Sequence, residues 1–456
     1  MKKLLLLTML AAAFQMVQAQ DFKKVQTTVI LKKWEDAKTE IDKVMADPKA
    51  QNKDGYFWKA RIYSALYADP ALMAKYPNAA KEADEAFKKY RELDPSLAFA
   101  KTQGPDGYFD MYKTSFSEAI KVFNQKKWED AAANFKMAVD YSDVIFTNKW
   151  TSGNYAFDTT SLLYLGYSYQ NATKMNEAAT YYGRLADAKV GGETYVDVYK
   201  FLLSHYTTAK DEAKFNKYLA IGKELYPKDA AWEEFEMDYV DKNLSLAQKT
   251  AIYDKEDPAG TLSESKYLQF GDLFVHVKDK EKSLDSAQAL GYTLKAADAF
   301  KKAYAKNNQN SVAAFNVGVI YYNIYGDYDD KYAANIRAMQ AINANKPPAD
   351  KDPKKKAAQD AKFKADTDVI KNANTAIEKP LMDNLDLAIE WLEKSYTALK
   401  SKAEKSKTEK SIANKSVDFL ANLYAYKRDR VRGKDLKAFD AYDAKYKEFD
   451  ALHGKF

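Results

Sequence analysis

The stretch SLLYLGYSYQNATKMNEAATYYGRLADAKVGG, Ser161 to Gly192, decides the fold. Leu162, Leu165, Gly166 and Tyr169 fall three and four apart, the spacing that places side chains on one face of a helix. NATKMN then supplies a polar turn, and Ala178, Tyr182 and Leu185 give a second helix its own face. Glycine inside a helix costs up to about 1 kcal/mol relative to alanine, so Gly166 needs a compensating reason. Close approach of the second helix is the simplest one.

Elsewhere apolar residues recur at helical spacing, and alternation over strand lengths is nearly absent. The order of bulky residue, Leu-Gly, Tyr, turn, Ala and aromatic resembles the tetratricopeptide repeat. Other copies are readable. VAAFNVGVIYYN carries Val317, Gly318 and Tyr321, after a helix with Ala296, Phe300 and Ala303. YVDVYKFLLSHY carries Tyr199, Leu202 and Tyr206, with Phe215, Leu219 and Pro227 following; GYFWKARIYSAL carries Tyr56, Ala60 and Tyr63, with Ala83, Phe87, Tyr90 and Pro95 after it. SVDFLANLYAYK carries Leu420, Ala421 and Tyr424. Gly166, Gly271 and Gly318 occupy the small position, Ala often replaces Gly there, and Leu203 departs from the pattern. The resemblance implies an all-α, right-handed superhelical solenoid of about eight stacked antiparallel helix pairs.

The hexapeptide KKWEDA occurs twice, at 32–37 and 126–131. Within the repeat pattern Trp34 and Trp128 start second helices, Ala37 and Ala131 take the small position, and Ile41 and Phe135 follow as bulky residues. The duplication is therefore a repeated packing joint and not a duplicated site. The scarcity of turn-formers agrees: 16 Gly and 11 Pro in 456 residues are about half the usual 7% and 5%.

The start, MKKLLLLTMLAAAFQMVQAQ, has basic Lys2 and Lys3, an apolar run to Phe14 and a small-x-small site at Val17-Gln18-Ala19, so residues 1–19 are expected to be an export signal. The expected location is the bacterial periplasm, with outer-membrane association only through a partner. The chain has no Cys, which rules out acylation at a cysteine, disulfides and thiolate metal sites. The expected organisation is hairpins over 20–142, an aromatic-rich link over 143–158, hairpins over 159–342, a mobile Lys/Ala/Pro-rich insertion over 343–380, and hairpins over 381–456.

No signature of chemistry accompanies this pattern. There is no Gly-x-Ser-x-Gly, no phosphate-cradling glycine loop and no His-Glu-x-x-His. His205, His276 and His453 are far apart in sequence, and GDYDDKY lacks the glycine and distal glutamate of a calcium loop. Catalytic, cofactor-binding and metal residues are accordingly expected to be none. With 71 basic and 65 acidic residues mixed along the chain, a nucleic-acid footprint is also not expected.

A stacked solenoid offers one long groove lined by first helices, and the resemblance places candidate contacts beside its packing residues. These are Leu163, Tyr167, Gln170 and Asn171 in one repeat, Lys200 and Ser204 in the next, and Phe315, Val319, Tyr322 and Asn323 in a later one. Tyr with Gln and Asn suits an extended peptide, so the expected partner is another envelope protein or a peptide segment, without catalysis. The family's paired Lys/Asn clamp for a terminal carboxylate is not reproduced. The alternatives are a glycan-binding helical component of outer-membrane nutrient uptake and an all-α glycosidase with two facing carboxylates.

Overall fold

The computed structural model describes residues 22–153 and 155–456. Among them lie 21 α-helices, two single 3-10 turns and no strand. The expected export signal, 1–19, falls outside the described residues. The chain divides into two compact units, residues up to Phe235 and Glu236–Phe456.

The first unit stacks antiparallel pairs: α1 (Lys23–Ile30) with α2 (Trp34–Met45), then α3 (Lys53–Ala68), short α4 (Pro70–Lys75) and α5 (Ala79–Leu93). After short α6 (Ala98–Gln103) come α7 (Asp106–Asn124) with α8 (Trp128–Thr147), α9 (Thr159–Asn171) with α10 (Met175–Asp187), and α11 (Val196–Ala209) with α12 (Glu212–Leu225). Besides its own partner, α3 packs on α2, α9 on α8, and α11 on α10. The stacking thus buries the faces that one hairpin leaves open.

One turn closes four of these pairs. Lys32, Lys126, Thr173 and Lys210 are left-handed, with φ of 54, 59, 61 and 56°. In each case the next N–H reaches back across the helix end: Lys33 to the Thr28 carbonyl at 2.9 Å, Lys127 to Val122 at 3.0 Å, Lys174 to Tyr169 at 2.9 Å and Asp211 to Tyr206 at 3.0 Å. This bond satisfies a carbonyl the helix end would otherwise orphan. Side chains other than Gly pay about 1–2 kcal/mol for that conformation. Helix ends are therefore made without the usual glycine, which accounts for part of its scarcity.

The small position has a steric cause. A Cβ built on Gly166 would lie 2.4 Å from the Tyr182 ring, and one on Gly271 would lie 2.6 Å from Phe300. An aromatic from the second helix sits directly on the backbone of the first.

The second unit comprises the end of α13 (Ala231–Asn243), α14 (Leu246–Glu256), α15 (Glu264–Val275), short α16 (Val277–Lys280) and α17 (Ser286–Lys306), which pairs with α15, then α18 (Ser311–Ala344) with α19 (Pro353–Lys400), and α20 (Lys407–Val431) with α21 (Leu436–Asp450). Residues 343–380 take a secondary structure that the sequence reading did not assign. Pro347 and Pro348 lie in the link, Pro353 is the first helical residue, and α19 continues through Pro380. Proline suits a first helical position, because its missing N–H would be unpaired there anyway. The Ala- and Lys-rich remainder has good helix propensity. Packing on α18 supports it: Asn335 Nδ2 donates to Asn374 Oδ1 at 2.8 Å, and Arg430 of α20 pairs with Glu378 while lying 5.2 Å from the Tyr332 ring centre.

Residues 143–147 of the expected 143–158 link are the last turns of α8. Ile145 is buried, Trp150 packs 5.1 Å from Tyr108, and Arg184 lies over Phe157. These link side chains cover their own unit. Among the described residues, no helix is long and apolar enough to cross a membrane.

Candidate functional site

Trp34 and Trp128 are each the first residue of a second helix, entered from N-caps with nearly equal backbone angles, Lys33 at φ −85° and ψ 72° and Lys127 at φ −83° and ψ 76°. Ala37, Ile41, Ala131 and Phe135 behind them are fully buried. Both indoles are half-buried, and each is covered by the first helix of the following pair. The Arg61 guanidinium lies 5.1 Å from the Trp34 ring centre, and the Tyr167 ring 6.2 Å from that of Trp128. Arg61 follows Ala60 and Tyr167 follows Gly166, so the cover comes from one repeat position, just after the small residue.

The next joint, between α10 and α11, has the same turn but different contents. Met175 stands where the two tryptophans stand, and Ser204 stands where Arg61 and Tyr167 stand. Neither side chain closes the space. A cavity of about 580 Å³ opens there, lined by Gln170, Met175, Phe201, Ser204, His205 and Thr208 among others. Phe201 and His205, one helical turn apart, hold their rings within 8° of parallel at 6.0 Å. Burial, reinforced by the positive charge of Lys214, pushes the His205 imidazole below its ordinary value, so it is neutral at neutral pH. The nearby lysines are paired, Lys174 with Glu129 at 3.0 Å, Lys200 with Asp229 at 2.8 Å and Lys214 with Asp211 at 3.4 Å. The lining is thus neutral, polar on one part and aromatic on another.

Of the sequence-derived groove residues, Gln170 and Ser204 come together here, from two successive first helices. Gln170 Oε1 also accepts from the Tyr182 hydroxyl at 3.1 Å. Tyr167, 45% exposed, serves as the Trp128 cover, and Asn171 Nδ2 donates to the Tyr167 carbonyl at 2.9 Å. Leu163 is half-buried, and Lys200 lies one turn before Ser204 with its ammonium over Trp232. In the second unit Tyr322 stacks on Phe419 at 4.4 Å and Phe315 on the same ring at 6.4 Å. Those two residues join α18 to α20; Val319 is half-buried and Asn323 exposed. Met175 and Phe201 carry no signal in the repeat pattern, and His205 enters the sequence reading only as one of three scattered histidines. Aligning the second-helix starts would have found Met175, because it breaks a tryptophan position.

The other two histidines are occupied locally. His453 Nδ1 lies 2.6 Å from Asp418, a hydrogen bond that raises its pKa, and His276 sits between Asp272 and Asp279. Among the described residues no group of three His, Cys, Asp or Glu side chains is arranged to hold a metal.

No protein-family model matches this chain. No curated protein matches it either. Among solved structures it is similar to the hetero-tetramer Cut9-Hcn1 of the APC/C, at 10% identity over 96% of this chain and 95% of that one, with a TM-score of 0.21. It is also similar to a monomeric IFIT1 mutant with m7Gppp-AAAA, at 13% identity over 86% and 90% of the two chains, with a TM-score of 0.19. Scores this low leave the stacked joints themselves as the basis for a functional reading.

Proposed function

We propose that this chain is a non-catalytic, exported interaction protein, a periplasmic scaffold that binds a segment of another envelope protein along its stacked first helices. The observation that carries the reading is the convergence of Gln170 and Ser204, from consecutive first helices, on one neutral cavity. Amide and hydroxyl groups there suit the backbone of an extended peptide, and the Phe201 face suits an apolar side chain. Tetratricopeptide-like stacking is the architecture such a groove needs, and it offers no paired carboxylates or metal cluster around this cavity.

A photocrosslinking residue placed at Thr208 of the full-length chain tests this in intact cells. A discrete protein adduct from the envelope fraction, recovered by mass spectrometry and lost when the probe is moved to Asn323, is the expected result. Recovery of no protein adduct at Thr208, or of the chain from the cytosol alone, would remove the basis for the reading.

A further inference from the structure

We propose that the cavity beside Ser204 is a packing joint lacking its own aromatic plug, and that it takes a flat, uncharged aromatic side chain, best an indole, from the bound partner segment. This rests on the scaffold reading above and names what the site recognises.

Of the four pairs that this turn closes, three are followed by another complete pair of the same unit. The same left-handed turn precedes Trp34, Trp128 and Met175, at Lys32, Lys126 and Thr173. In the first two joints an indole starts the second helix and a long side chain from the next pair lies over it. In the third, thioether and hydroxymethyl replace indole and cover together, and about 580 Å³ is left open. Met175 is 43% exposed, so the loss has not been made up by collapse of the neighbouring helices. A Trp or Tyr ring buries roughly 150–250 Å² where it fits, so the missing plug is a substantial one.

The lining selects among possible plugs. Phe201 packs edge-on to Tyr182 at 5.1 Å, which fixes it, and its near-parallel neighbour His205 extends the same flat wall. Flat walls favour stacked rings over branched aliphatic groups. Lys174, Lys200 and Lys214 already have carboxylate partners, so nothing among them is poised to hold an anion, and no acid lines the cavity to hold a cation. Ser204, Thr208 and the Gln170 amide stand at the wall as hydrogen-bond partners for an indole N–H. A flexible methionine at the rim adapts to an entering ring and makes favourable sulfur–aromatic contacts.

The test uses 5-fluoroindole as probe on the whole chain, followed by ¹⁹F NMR. Saturable broadening with a dissociation constant on the order of millimolar is expected for a single ring. Two variants on different helices restore what the other joints contain: Met175→Trp puts back the plug, and Ser204→Tyr puts back the cover. Each is expected to weaken probe binding at least tenfold, and Met175→Trp is expected to raise the melting temperature. No saturable binding to the parent chain, or unchanged binding to both folded variants, overturns the proposal.

The crosslink at Thr208 separates this inference from the reading beneath it. If a partner is captured equally well by the parent and by Met175→Trp, the scaffold stands and the aromatic plug does not. If 5-fluoroindole binds and the variants abolish it while no partner is captured, a partner side chain is overturned as the occupant. Capture of a segment bearing Trp, Tyr or Phe, lost in Met175→Trp, supports both.

Discussion

The two KKWEDA joints share six residues, a left-handed lysine, a tryptophan at the first helical position and a buried alanine, yet they are closed differently. Trp34 is covered by a cation: Arg61 lies over it and donates to Asp110 of α7 at 2.6 Å. Trp128 is covered by rings, Phe123 of its own pair at 5.2 Å and Tyr167 of the next. The first closure thus reaches across neighbouring pairs through charge, and the second is apolar and local. The joint has an invariant half, set by the hexapeptide, and a replaceable half, drawn from whatever pair is stacked next. The empty joint at Met175 is what remains when both halves change, and a surface for another molecule then arises from ordinary packing.

The largest effect is expected where the joint tolerates least. Gly166→Val drives a branched side chain into the Tyr182 ring, where a Cβ alone would lie at 2.4 Å. Overpacking of this kind costs about 3 kcal/mol. At Ala60 the same position already holds a methyl, fully buried, so Ala60→Val is expected to cost about 1 kcal/mol. Urea midpoints of the two variants measure the difference. Equal losses would mean that the glycine and alanine joints are not spaced differently after all.

Next come the tryptophans. Trp34→Ala and Trp128→Ala each remove a half-buried indole and are expected to cost about 2 kcal/mol, less than the 3–5 kcal/mol of a fully buried ring. Their couplings differ in kind. A double-mutant cycle between Trp34 and Arg61 is expected to give about 0.5–1 kcal/mol that shrinks in 1 M salt. The cycle between Trp128 and Tyr167 is expected to give a similar value that salt does not change. Salt sensitivity of the second cycle, or its absence from the first, would collapse the distinction.

Acid sharpens the same contrast. Burial raises the Asp110 pKa above its ordinary 3.8, against the opposing pull of Arg61. The folded chain therefore takes up this proton at higher pH than the unfolded chain does. By linkage, this carboxylate's contribution to stability falls as pH rises from 3.8 through the folded value, and it is steady at neutral pH. Asp110→Asn is expected to flatten the urea-midpoint profile in that acidic window. A profile that keeps its slope in Asp110→Asn would place the titration elsewhere.

How much of this was legible in the sequence follows from how local each cause is. Gly166 and Tyr182 meet within one hairpin, so the glycine announced its partner, and Trp34 and Trp128 could be placed at helix starts from the residues around them. The covers were not readable, because Arg61 and Tyr167 reach their indoles only through the rotation of one pair on the next. The same reason explains Phe315 and Tyr322: the repeat pattern put them on the groove, and α20 then supplied Phe419 to pack against them. Over 343–380 the prolines and lysines suggested a mobile insertion, but Pro347 and Pro348 fall in the link and Pro353 opens α19. The cavity went unseen because its signal is a subtraction, Met175 for a tryptophan and Ser204 for an arginine or tyrosine, visible only once the joints are laid over one another.

The smallest effect tests the invariant half. Lys32 and Lys126 adopt φ of 54 and 59°, which a side chain with a Cβ resists and glycine does not. Lys32→Gly and Lys126→Gly are therefore each expected to stabilise the chain, by about 0.5–1 kcal/mol once glycine's greater freedom in the unfolded chain is set against the relieved strain. The gain should be the same in both, since the turn, the N-cap angles and the closing hydrogen bonds of 2.9 and 3.0 Å match. It should also be independent of salt, because neither lysine is among the ion pairs of its joint and the substituted term is backbone strain. Thermal melts of the two variants at low and high salt decide it. A gain at one copy only would show that the cover reaches back into the turn, and the division into an invariant and a replaceable half would then fail where the hexapeptide is identical.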